Sequence, residues 1–78
     1  MILDNFCVMI GPFCASMFRL PGGVVRTFFN QIGEIGSEQW DTAILGDDED
    51  AEDLARVILG KAGEGDLEEL TYLIRRLM

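Results

Sequence analysis

From Asp47 to Met78 the chain carries two amphipathic stretches on either side of Gly60-Lys61-Ala62-Gly63-Glu64-Gly65. A glycine-rich break between two helical repeats predicts a helical hairpin for this half. In the first arm Ala51, Leu54, Ala55 and Ile58 recur at the spacing of one helix face, with Val57 and Leu59 widening the stripe and Asp48, Glu49, Glu52, Asp53 and Arg56 opposite. In the second arm Leu67, Leu70, Ile74 and Leu77 repeat the pattern, broadened by Tyr72 and Leu73. Asp66 followed by Glu69 has the form of an aspartate-led capping box. Acids crowd the first turn of both arms and Arg75 and Arg76 fall in the last turn of the second, as the helix dipole favours.

The remaining residues are harder to assign. Ile2, Leu3, Phe6, Met9 and Ile10 fit a helical stripe, yet residues 6–10 also suit a buried strand, and periodicity does not arbitrate so short an apolar run. Pro12 suits the first turn of a helix, and Phe13, Met17 and Leu20 follow at helical spacing until Pro21. Beyond Gly22-Gly23, Val24, Val25, Phe28, Phe29 and Ile32 form a broad stripe closed by Gly33, whereas a strand there would break alternation at the Val-Val and Phe-Phe pairs. Ser37 reads as the N-cap of a short helix in which Trp40, Ala43 and Ile44 share a face before Gly46.

The expected fold is all-α: a compact orthogonal bundle of four to five short helices near residues 12–20, 24–33, 37–45, 48–60 and 66–77, ending in the C-terminal helical hairpin. The alternative is α+β, with residues 5–10 and 13–18 forming an N-terminal β-hairpin. The 78 residues make one domain, with no internal repeat or linker. A chain of this size buries roughly 60% of the surface its unfolded form exposes. With 49% apolar residues, and Phe6, Phe13, Phe18, Phe28 and Phe29 competing for one small core, some apolar surface should remain outside. A homodimer is expected, with Phe6, Phe13, Phe18 and Trp40 as the candidate apolar interface.

Charge is unevenly placed. Residues 1–33 hold one acid, Asp4, against Arg19 and Arg26, while residues 34–78 hold thirteen acids against Arg56, Lys61, Arg75 and Arg76, so the net charge of −8 belongs to the second part. Glu34, Glu38, Asp41, Asp47, Asp48, Glu49, Asp50, Glu52 and Asp53 follow one another without an intervening base. Such a surface opposes direct phosphate binding and favours a basic protein partner, for instance a nucleic-acid-handling one whose Lys/Arg groove these carboxylates would occupy. These nine acids are the candidate partner-binding residues.

Enzymatic chemistry is not expected. There is no histidine for acid–base work or nucleophile activation, and the acids cluster where capping and solvation already account for them. A calcium loop counted from Asp47 would need glycine at its sixth position and glutamate at its twelfth, where the chain has Glu52 and Ile58. No metal or cofactor is expected. Cys7 and Cys14, if on a helix, would lie about 10 Å apart along its axis, too far for a disulfide. Two buried free thiols imply a reducing, cytoplasmic setting. The apolar run from Phe6 to Phe18 is too short to span a membrane and lacks the basic lead of a signal peptide, so no membrane association is expected.

Length, acidity and Ser37 make the chain similar to acyl carrier proteins, whose modified serine opens a helix. Those carriers show Asp-Ser-Leu where this chain has Gly36-Ser37-Glu38. In size and charge the chain also resembles small acidic proteins that bacteriophages encode to inhibit nucleic-acid machines. That resemblance implies a non-enzymatic, protein-binding inhibitor or regulator, with a self-associating assembly protein as the alternative and an acyl-carrier-like protein as the weaker one.

Overall fold

Between Phe6 and Phe29 the residues that end up buried fall at every second position: Phe6, Val8 and Ile10, then Phe13, Ala15 and Met17, then Val25, Thr27 and Phe29. That period of two belongs to strands covered on one face. The computed structural model describes all residues except 34, 35 and 37, and of residues 38–42 the backbone alone. It shows four strands, β1 (Asp4–Ile10), β2 (Phe13–Leu20), β3 (Val24–Gln31) and β4 (Glu38–Ile44), followed by two helices, α1 (Asp48–Ala62) and α2 (Leu67–Arg75). The strands form one antiparallel meander in the order β1-β2-β3-β4, with the helices packed on one side of it.

Turn chemistry explains the connections. Gly11-Pro12 joins β1 to β2 with Gly11 at φ +56°, a left-handed conformation that glycine adopts without penalty, and Ile10 stands opposite Phe13 across it. Pro21–Gly23 makes one 3-10 turn into β3. Between β3 and β4, Thr27 faces Asp41 but Phe28 faces Gln39, a bulge that inserts Trp40 on the edge strand.

The core lies between the inward sheet face and the helices. Ile10, Ala15, Met17, Val25 and Phe29 meet Ala51, Leu54, Ala55 and Ile58 of α1 and Leu70, Ile74 and Leu77 from the α2 end. Phe13 stacks on Phe29 with ring centroids 4.8 Å apart, which ties β2 to β3 within this layer. Met17, Ile58 and Ile74 are fully enclosed, and each contributes about 1.5–3 kcal/mol by leaving water.

The fold is therefore α+β, and the expected all-α bundle is overturned. The helical hairpin forms where its periodicity places it, but the helices expected near 12–20, 24–33 and 37–45 are β2, β3 and β4. Pro12 starts no helix; it sits in a hairpin turn. The doubled pairs Val24-Val25 and Phe28-Phe29 are compatible with a strand because Val25 and Phe29 are buried inward while Val24 and Phe28 stay partly covered on the other face.

The strand geometry also reverses the cysteine assignment. Cys7 faces Ser16 and Cys14 faces Met9, so the two cysteines are diagonal neighbours on one sheet face and are joined in a disulfide, with Cα atoms 6.7 Å apart. No described helix is long and apolar enough to cross a membrane.

Candidate functional site

The acids of residues 47–53 are concentrated at the start of α1, and local chemistry explains why. Asp47 has extended backbone and occupies the N-cap; its Oδ1 accepts the amides of Glu49 at 3.0 Å and Asp50 at 3.1 Å. Asp50 reaches back, its Oδ2 accepting from Gly46 N at 2.6 Å and Asp47 N at 3.1 Å. Helix amides that have no intrahelical acceptor are thereby satisfied. Asp66 does the same for α2 by accepting from Glu69 N at 3.0 Å.

The nine candidate acids thus divide by what their carboxylates already do. Asp47 and Asp50 hold the cap. Asp48 lies 3.7 Å from Arg75 Nε, linking the start of α1 to the end of α2, and Glu52 lies 3.3 Å from Arg56 Nη2 one turn on. Both pairs are exposed and contribute at most about 1 kcal/mol each. Glu49 and Asp53 have no ion-pair or hydrogen-bond partner among the described residues and are exposed. The backbones of Glu38 and Asp41 belong to β4, but their side chains, like that of Trp40, lie outside the described residues. Glu34 and Ser37 lie outside them altogether, and the segment Ser37 was expected to cap as a helix is β4.

The structure also sorts the candidate apolar interface. Phe6 and Phe13 pack inward against the core and are not available as an outer surface. Phe18 points to the opposite, helix-free face, where it meets Phe28 edge-on at 5.7 Å.

Tertiary packing creates a feature that sequence inspection missed. Where the end of β4 runs alongside α1, an open groove is lined by Ala43, Ile44, Asp50, Asp53, Leu54 and Val57. Its apolar elements are not all buried: Ile44 is 71% exposed and Val57 42%. Carboxylates therefore stand beside accessible aliphatic surface, at the edge of the sheet. Val57, one turn beyond Asp53, was the available signal, since it lay at the margin of the α1 stripe; its β4 neighbours were hidden by the helical assignment of residues 37–45.

Among the described residues no three cysteines, aspartates or glutamates converge as a cation site. No protein-family model matches the chain, and no curated protein or solved structure matches it either.

Proposed function

We propose that the protein is a non-enzymatic interaction module that takes a basic, partly aliphatic segment of a partner protein at the β4/α1 groove. The observation carrying this is the placement of Asp50 and Asp53 beside exposed Ile44 and Val57. A lysine or arginine side chain suits such a surface, because its methylene stem covers apolar area while its charged head reaches a carboxylate. Glu49 and Asp53 have no partner among the described residues, so engaging them breaks no described contact.

The net charge of −8 extends the field of this groove over the helical layer. That field speeds encounter with a basic surface and disfavours nucleic acid itself. A nucleic-acid-handling protein, whose Lys/Arg groove is otherwise filled by phosphates, is the partner class we favour, and inhibition by occupancy is the mechanism. The cytoplasmic setting expected for two free thiols has no such support from a bonded Cys7–Cys14 pair.

Pull-down from the native host tests this. Wild-type protein should recover a partner with a basic surface at low salt and lose most of it at about 0.5 M salt, where the screening length shrinks below about 5 Å. Asp53→Lys and Val57→Asp should each weaken recovery at least tenfold with an unchanged helical spectrum. Recovery of a partner with no basic surface, or capture indifferent to both substitutions, overturns the proposal.

A further inference from the structure

We infer that the helix-free face of the sheet is a self-association surface that takes a second copy of this chain. Strand alternation defines the face. With Phe6, Val8, Ala15, Met17, Val25 and Thr27 turned to the helices, Cys7, Met9, Phe18, Val24 and Phe28 turn away from them, interleaved with the polar Asn5, Ser16, Arg26 and Asn30. Ile44 stands opposite Val24 and shares its side. The Cα framework measures 32 × 27 × 15 Å, the thickness of one helix layer on one sheet; both helices pack on the other side, and on this side an open depression is lined by Ser16, Phe18, Phe28, Asn30 and Gly36.

The outer face carries large apolar side chains where a solvated antiparallel sheet carries polar ones. Such sheets alternate core residues with polar ones. Here Met9 is 58% exposed and Ile44 71%, at opposite rims of the sheet. Phe18 and Phe28 are only partly covered and meet one another edge-on.

Charge selects the occupant. Two chains of net charge −8 repel unless they meet where the acids are not. Ten of the 14 acids lie in residues 47–69, on the helical layer, and the helix-free face carries a single charge among its described side chains, Arg26. Joining two copies face to face sets the sheets about 10 Å apart and leaves both helical layers on the outside. Among the described residues, this face is the one on which self-contact avoids acid against acid. A basic partner finds no carboxylate there among the described residues, and an acidic one finds only Arg26.

The footprint sets the strength. Four strands at about 4.8 Å spacing and about 3.3 Å per residue cover roughly 500 Å² per copy. Two such faces bury on the order of 1,000 Å², the lower end for a specific interface, so the dimer is weak and concentration-dependent. This inference does not rest on the β4/α1 groove: Ile44 borders both surfaces, but Asp50, Asp53, Leu54 and Val57 of the groove belong to α1 and stay clear of the paired sheets.

Sedimentation velocity on the full chain, disulfide intact, from about 5 μM to 1 mM tests it. The mass should rise from one chain to two, and added salt should strengthen or preserve association because it screens the mutual repulsion. Met9→Lys and Ile44→Lys, at exposed positions, should each weaken association at least tenfold, whereas Asp53→Lys should not. Wild-type spectra on dilution supply a readout independent of any variant: the Met9 methyl and Phe28 ring signals should move with concentration while those of Tyr72, on α2, stay still. A monomer throughout, or dilution shifts on the helices only, overturns the inference. So does association lost with Met9→Lys but indifferent to Ile44→Lys, which is the signature of edge pairing along β1.

Discussion

Asp47 and Asp50 cap α1 reciprocally, each carboxylate accepting the other residue's backbone amide at 3.1 Å. The most acidic part of the chain is therefore also the part that starts its longest helix, and charge there is structural before it is anything else. Asp47→Ala should cost about 1 kcal/mol. For a domain of this size that lowers the melting temperature by about 4–8 °C, measurable by thermal circular dichroism. Converting Asp47, Asp48 and Asp50 together to Lys should fray the first turn of α1, because Asp47 and Asp50 form its cap. Glu49 and Asp53 are the positions at which charge can be tested apart from folding.

Thr27 is fully buried in β3, and its Oγ1 has no hydrogen-bond partner among the described residues. Thr27→Val keeps the branched shape and removes an unsatisfied hydroxyl, so it should stabilise the protein by about 1 kcal/mol. Urea denaturation checks this; a loss of stability would show that the hydroxyl is satisfied in solution.

Gly63 ends α1 at φ +78° and donates its amide to Leu59 O at 2.9 Å, while a Cβ placed there would meet no atom within 4 Å. The cost of Gly63→Ala is thus conformational rather than steric, about 1 kcal/mol. Gly63→Asn should cost less, because asparagine tolerates the left-handed region better. Equal losses for the two in chemical denaturation would contradict this.

Cys7 and Cys14 close a short loop across β1 and β2, seven residues apart in sequence. Reducing the bond frees that loop in the unfolded chain and should lower stability by on the order of 2 kcal/mol. The sheet should persist, since Met17, Val25 and Phe29 hold the neighbouring strands against the helices. Denaturation with and without reductant, alongside Cys7→Ser/Cys14→Ser, measures the effect.

For the candidate site, the residue types were legible and their availability was not. The acids were visible as a run, but which of them had partners depended on Asp48 meeting Arg75 and on Asp47 and Asp50 turning inward to the cap. Phe6 and Phe18 looked equivalent in composition, yet strand alternation sends Phe6 to the core and Phe18 to the opposite face. The groove joins Ile44 to Val57 across a change of element, a proximity that no local pattern encodes.

The helices could be read because every interaction that specifies them is local: hydrogen bonds close over four residues, Ala51, Leu54, Ala55 and Ile58 recur within two turns, and Asp47, Gly63 and Asp66 mark their ends. The strands satisfy their amides on other strands, pairing Phe13 with Gln31 and Val24 with Ile44, so their identity depended on partners far along the chain. Apolar residues on both faces blurred the period of two and imitated a broad helical stripe. Only when α1 and α2 covered one face and left Phe18, Phe28 and Met9 on the other did Val24-Val25 and Phe28-Phe29 resolve into an inside and an outside. Burial on one face then selects the strand register, because a slip of one residue would turn Met17 and Thr27 outward and Phe18 and Phe28 into the core.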